Sequence, residues 1–222
     1  TLADGATRTL RGHTGWINAL LIHENEIITG SDDGTIRRWN RREGTVTATL
    51  RGHNGAVLSL ARSSTGTLLS GGADGRVWRW PGTGEGSVLH KGSLAVRGVH
   101  FSSGEKRVLS VDRDALLQST AVPARVPAPT DRPDASGSLT PLKRERFDNS
   151  IAQLHRDVQS DTFLLRERTG AIHRLEHETL KRRRVAALKE VQALTLSGKE
   201  LLALHGNNLV RLSPDTLMPA VA

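Results

Sequence analysis

The chain has 222 residues, 36% of them hydrophobic, with 31 basic and 23 acidic side chains for a formal charge of +8. That length is enough for one large all-β domain or two small ones, and no apolar run reaches the ~20 residues a membrane helix needs. The absence of cysteine excludes disulfides and thiolate metal sites. The chain opens at Thr1 with no basic-then-apolar leader, and a start without Met points to upstream sequence that is missing or removed.

In chain order, residues 6–10 read as a lone outer strand. Short β-rich runs follow at 16–22, 26–31, 35–40 and 45–50. In the first of these, Ile17, Ala19 and Leu21 alternate with Trp16, Asn18 and Leu20. Both faces are fairly apolar, which predicts a sheet covered on both sides. Asp33-Gly34 between the second and third runs predicts a tight hairpin turn. The pattern then recurs. Arg11-Gly12-His13 through Thr29-Gly30-Ser31-Asp32-Asp33-Gly34 to Trp39-Asn40 is followed by Arg51-Gly52-His53 through Ser70-Gly71-Gly72-Ala73-Asp74-Gly75 to Trp80-Pro81. His13 and His53 are 40 residues apart, and Trp39 and Trp80 are 41 apart. A unit of that length is one small sheet that needs neighbours stacked on it to bury its faces.

Three later segments fit the same template more loosely. The third spans strands at 95–101, 106–111 and 115–120; Ser110 and Asp114 keep the spacing of Thr29 and Asp33, and Thr120 stands where Trp would. The fourth has strands at 151–155, 161–167 and 171–175. The fifth has strands at 191–196, 200–204 and 209–212, with Asn207 at the Asp position. Between the third and fourth, residues 121–141 hold Pro123, Pro127, Pro129, Pro133 and Pro141, a composition that forms no ladder and reads as an inserted loop acting as a spacer. Residues 217–221 read as a second outer strand.

The Gly-His start, Asp-Gly turn and closing Trp at this period resemble the WD repeat (WD40) β-propeller family. The resemblance implies an all-β fold, a β-propeller of four-stranded antiparallel blades. About five blades are present, at 11–50, 51–91, 92–120, 147–186 and 187–222, as part of a seven-bladed propeller, the alternative being a closed five-bladed ring with one spare strand. Both termini offer the same outer strand. An open stack leaves exposed sheet edges, so the missing blades are expected from flanking sequence or from a partner.

The resemblance also assigns residues. His13, Thr29, Asp33 and Trp39, and again His53, Ser70, Asp74 and Trp80, correspond to the family's buried network. There the imidazole donates to the turn carboxylate, the hydroxyl accepts from the ring, and the indole N–H finds an acceptor. A hydrolase triad is set aside because the same residue types occur twice at the repeat period. The partner-binding positions of the family's top face carry over to Trp16, Asn18 and Asp32, to Ala56, Leu58 and Ala73, to Ala95, Arg97 and Arg113, to Ser150, Ala152 and Arg168, and to Glu190 and Gln192. Trp16 would be an aromatic anchor, and the arginines would grip an acidic peptide or phosphate. Trp39-Asn40-Arg41-Arg42 loosely resembles the Trp-Asp-x-Arg box of cullin-ligase substrate receptors.

Other motifs lead less far. His173-Arg174-Leu175-Glu176-His177 matches a zinc-protease pattern that needs a helix, whereas the surrounding residues read as turn and strand, where the two His are too far apart for one ion. Gly82-Thr83-Gly84-Glu85-Gly86-Ser87 lacks the spacing of a phosphate loop. Lys181, Arg182, Arg183 and Arg184 form a basic run on an outer strand that could meet RNA phosphate or act as a nuclear signal. The resulting expectation is a cytoplasmic or nuclear protein with no catalysis, no cofactor, no metal, no membrane contact and no small-molecule substrate. It would be an interaction scaffold whose partners are other proteins in a multi-subunit complex. The alternatives are a ribonucleoprotein subunit touching RNA backbone and a ubiquitin-ligase substrate receptor.

Overall fold

The computed structural model describes residues 9–82, 85–114, 116–122, 143–147, 151–157, 162–169, 171–176, 180–186, 191–197, 200–205 and 208–212. Those residues are all-β, with nineteen strands and a single 3-10 turn at Ser103–Glu105. The chain divides into two compact units, one built on Thr1–Phe101 and the other on Ser102–Val122 with Pro141–Ala222.

In the first unit, β1 (Ile17–His23), β2 (Glu26–Ser31), β3 (Thr35–Asn40) and β4 (Val46–Arg51) form one meandering antiparallel sheet in sequence order. β5 (Val57–Arg62), β6 (Leu68–Gly72), β7 (Arg76–Trp80) and β8 (Ser87–Lys91) repeat it. The hairpins form where Asp-Gly predicted them. Gly34 N–H donates to the Ser31 carbonyl at 3.1 Å and Gly75 N–H to the Gly72 carbonyl at 3.2 Å. Both glycines sit in the left-handed region, at φ 76° and 73°, which side chains avoid. Ile28, Ile36 and Leu50 of the first sheet pack on Val57, Leu60, Leu68 and Trp80 of the second, with Ala19 and Leu21 alongside. β9 (Val96–Phe101) packs in turn on β5 and β6.

In the second unit, β10 (Arg107–Asp112), β11 (Leu116–Ala121) and β12 (Lys143–Arg146) are paired in that order. β13 (Ile151–Asp157), β14 (Thr162–Glu167), β15 (Ile172–Glu176) and β16 (Arg182–Ala186) form a four-stranded sheet, and β17 (Val191–Ser197), β18 (Glu200–His205) and β19 (Asn208–Leu212) a three-stranded one. Leu109, Val111, Phe147, Leu154, Phe163, Leu165, Leu175 and Leu180 make the core of this unit.

Three features depart from the sequence reading. β12 was not foreseen. It is Lys143-Arg144-Glu145-Arg146, pairing with β11 from Ser119↔Lys143 to Leu116↔Arg146. Its residues carry no apolar alternation, so only the backbone ladder marks it as a strand. Second, β1 is not covered on both sides: Ala19 and Leu21 are partly buried against the second sheet, while Ile17, Leu20 and Ile22 are exposed. The lone strand at 6–10 is absent over the described Thr9 and Leu10. The strand expected at 217–221 and most of the Pro-rich stretch lie outside the described residues.

Candidate functional site: a buried network and the rim beside it

The repeated residues converge within each of the first two sheets. His13 precedes β1, Thr29 lies on β2, Asp33 lies in the turn and Trp39 lies on β3. His13 Nδ1 is 2.8 Å from Asp33 Oδ2, and its Nε2 is 2.7 Å from Thr29 Oγ1. Trp39 Nε1–H donates to the same hydroxyl at 2.8 Å. The second sheet repeats this, with His53 Nδ1 to Asp74 Oδ1 at 2.9 Å, His53 Nε2 to Ser70 Oγ at 2.8 Å, and Trp80 Nε1–H to Ser70 Oγ at 2.8 Å. A neutral imidazole has one ring proton. With Nδ1–H given to the carboxylate, Nε2 is an acceptor, so the hydroxyl donates to the neutral ring while accepting the indole N–H.

The network is wider than its four repeated members. Asp33 also accepts from Thr35 Oγ1 at 2.6 Å, from Thr35 N–H at 2.9 Å and from Thr14 N–H at 3.1 Å. Burial works against the charge. The Thr35 hydroxyl, the His13 ring and the backbone N–H groups of Thr35 and Thr14 outweigh it and hold the Asp33 carboxyl well below the usual carboxylate range. Asp74 is lowered in the same way. Burial opposes its charge, and the hydrogen bond from the His53 ring, with the N–H groups of Asn54 and Arg76, prevails. Thr35 was missed because blade two has Arg76 there, so no repeat marked it. These residues bind one another and leave no free nucleophile–base pair. Their action is to pin the turn to the strands, each bond contributing about 1 kcal/mol net.

The rim residues lie beside this network. Trp16 is 83% exposed, and its carbonyl accepts Asp32 N–H at 2.9 Å. Asn18 Nδ2 donates to Asp32 Oδ1 at 2.7 Å and to the Val57 carbonyl at 3.3 Å. The register of β1 on β2 shifts between Ile17 and Ala19, leaving Asn18 out of the ladder. The same shift falls between Val57 and Ser59, between Ile151 and Gln153, and between Val191 and Ala193, at Leu58, Ala152 and Gln192. A β-bulge re-aims a side chain and sharpens the local twist. Leu58 is half-buried, and Ala73 N–H donates to the Ala56 carbonyl at 2.8 Å, matching the Asp32–Trp16 bond. Arg97 on β9 is exposed in the first unit; Arg113 and Arg168 are exposed at turns of the second. Side-chain placement at Ser150, Ala152, Glu190 and Gln192 lies outside the described residues.

The remaining motifs resolve as follows. His173 lies on β15, a strand, with Nε2 3.0 Å from Glu167 Oε1, both side chains buried; His177 lies outside the described residues. Among the described residues no three His, Asp or Glu side chains converge as a metal site, and no helix is long and apolar enough to cross a membrane. Lys181 is exposed, and Arg182, Arg183 and Arg184 lie on β16, the outer strand of its sheet, their side chains outside the described residues. Arg166 is one that the sequence did not single out. It is buried, and its NH1 donates to the Val191 carbonyl at 2.9 Å.

The first two four-stranded antiparallel sheets, each pinned by a His–Ser/Thr–Asp–Trp network and packed face to face, have the form of β-propeller blades. Residues 5–40 and 44–80, the first two sheets, match the WD domain, G-beta repeat. The chain is 35% identical over 138 residues to striatin of Mus musculus, covering 50% of this chain and 18% of striatin. It is 39% identical over 85 residues to small ribosomal subunit protein RACK1y of Oryza sativa subsp. japonica, covering 36% of this chain and 25% of that protein. A p21-activated protein kinase-interacting protein 1-like of Danio rerio is 35% identical over 118 residues, covering 51% of this chain and 31% of its own. The chain thus spans less than a third of the length of these curated relatives. In fold, it superposes on a chain of a mitotic checkpoint complex crystal structure with TM-score 0.78 at 18% identity, covering 99% of this chain and 69% of that one. The computationally designed Ika8 protein superposes with TM-score 0.70 at 22% identity, covering 95% of this chain and 63% of that one.

Proposed function

We propose that this chain is a non-catalytic protein-interaction scaffold that binds partner proteins of a multi-subunit assembly through the rim formed by the strand bulges and hairpin turns. The observation that carries this reading is the bulge recurring at Asn18, Leu58, Ala152 and Gln192. In the first sheet it lifts Asn18 out of the ladder, next to an exposed Trp16 and a carboxylate at Asp32 held by Asn18. A large exposed aromatic beside fixed polar groups suits an interface anchor. Arg97, Arg113 and Arg168 add positive charge that steers acidic segments. That striatin, RACK1y and the kinase-interacting protein share the repeat supports the reading. A cytoplasmic or nuclear location goes with it. The test is affinity purification of the wild type and of Trp16→Ala with nuclease present. Loss of the same proteins from the variant, at unchanged melting temperature, supports the rim; an unchanged set of partners removes it.

A second reading places RNA backbone on Lys181 and Arg182–Arg184. It is favoured by the position of Arg182–Arg184 on the outer strand β16, directly after the exposed Lys181. Phosphate contacts release counterions, so affinity for RNA would fall steeply with salt. A retention of partners that is abolished by nuclease would favour this reading over the first.

A further inference from the structure

Three described steps of the chain carry a side-chain carbonyl carbon directly before a glycine. They are Asn54-Gly55, in the loop before β5, and Asp33-Gly34 and Asp74-Gly75, in the hairpin turns. In each, the following amide nitrogen can close a five-membered ring on that carbon, with no Cβ on the glycine to obstruct it. Hydrogen bonding separates the three. Gly34 N–H donates to the Ser31 carbonyl at 3.1 Å and Gly75 N–H to the Gly72 carbonyl at 3.2 Å. The Asp33 carboxylate accepts four hydrogen bonds, and that of Asp74 accepts from His53, Asn54 N–H and Arg76 N–H. In both turns the nitrogen is held away and the carbon belongs to an ionised carboxylate, which is a poor electrophile.

Asn54-Gly55 is built differently. Asn54 is exposed, and its backbone N–H is fixed by Asp74 Oδ2 at 3.0 Å. Its carboxamide has no hydrogen-bond partner among the described residues, and Gly55 N–H donates to no acceptor among them. The glycine also has more room than its counterpart in the first sheet. A Cβ at Gly15 would meet Asp33 N at 2.8 Å and Asp32 Cβ at 2.9 Å, whereas at Gly55 the nearest atoms, Ala73 Cβ and Asp74 N, stand at 3.5 Å. The first sheet has Thr14 where the second has Asn54, with the matching bond from Thr14 N–H to Asp33 Oδ2 at 3.1 Å. The loop thus anchors Asn54 by its main chain and leaves both reacting groups unengaged. Asparagine is among the thermolabile residues, and here the fold does not protect it.

We propose that Asn54 is a self-modification site, deamidating in the folded protein and loosening the loop that enters the second sheet. The Gly55 nitrogen attacks Asn54 Cγ and a C–N bond forms. The carboxamide nitrogen leaves as ammonia, carrying the proton that Gly55 gives up, and a succinimide remains. Water opens that ring at either carbonyl, giving an aspartate or an isoaspartate at position 54; no oxidant or reductant takes part. Either product sets a carboxylate beside Asp74, where like charges repel. The isoaspartate also inserts a methylene into the main chain two residues before Ala56, whose carbonyl accepts Ala73 N–H at 2.8 Å. The site stands whether or not the rim binds partners.

The test incubates the whole purified chain in mildly alkaline buffer, then digests it and reads the peptides by chromatography and mass spectrometry. The peptide holding Asn54 is expected to gain the mass of an amide-to-acid exchange and to split into two isomers, and the aged protein to melt at a lower temperature than the fresh one. Gly55→Ala, whose Cβ would make only ordinary contacts at 3.5 Å, should melt like wild type when fresh and lose the conversion. Asp33→Asn sets an Asn-Gly step into the pinned turn; position 33 should keep its amide while Asn54 of the same molecule converts. An Asn54 that stays intact over an interval in which the urea-unfolded chain converts overturns the proposal. Conversion at position 33 as fast as at Asn54 overturns the role given to the glycine N–H. An aged, fully converted sample with unchanged melting overturns the loosening of the loop.

Discussion

Replacing Asp33 by Ala isolates what the buried network contributes. The carboxylate accepts four hydrogen bonds, from His13 Nδ1, Thr35 Oγ1, Thr35 N and Thr14 N, at 2.6 to 3.1 Å. Thr14 is exposed, and water can replace the lost acceptor there. Thr35 is buried and the His13 side chain nearly so, so their donors are left without an acceptor. Two such residues at about 1–3 kcal/mol each give a loss of roughly 2–6 kcal/mol. For a chain of this size that is a decrease in Tm of roughly 4–24 °C. Asp33→Asn keeps one oxygen for Thr35 and should lose less than half as much. The assay is urea and thermal unfolding followed by Trp fluorescence. Both variants within about 0.5 kcal/mol of wild type, the range of ordinary surface changes, would refute the view that this carboxylate pins the turn.

Stability should also fall with acid in a defined window. Asp33 and Asp74 have folded-state pKa values below their unfolded ones, so their contribution is full above about pH 5 and is lost as pH drops through ~3.9 toward the folded values; urea midpoints between pH 7 and 3 measure it, and Asp33→Asn should flatten the dependence. Gly30→Ala would push a Cβ to within 2.6 Å of Val57 Cγ1 in a packed core and should cost about 1–3 kcal/mol. Gly82→Ala, which meets nothing within 4 Å, serves as its control and should leave the urea midpoint in place. Gly71→Ala faces Val96 Cγ1 at 2.6 Å and Ser59 Oγ at 2.7 Å and should behave like Gly30→Ala.

The sequence by itself determined the local chemistry of this protein. Asp-Gly turns, alternating β-branched runs and the twice-repeated His, Ser/Thr, Asp and Trp are all short-range or periodic signals, and the strands of the first sheet lie within a residue of where those signals place them. Asn18, Leu58, Ala152 and Gln192 were singled out only through a family resemblance; the register shift that lifts them out of the ladder is a property of strand pairing. Tertiary structure alone decided three further things. The polar strand β12 exists because β11 offers it a backbone ladder, a requirement that leaves no side-chain pattern. Arg166 reaches the Val191 carbonyl across 25 residues of sequence. Ile17 and Leu20 share the apolar character of Val57 and Leu60, yet one pair is exposed and the other buried. Burial depends on which sheet stands opposite, and no residue carries in its own identity the presence of its neighbour.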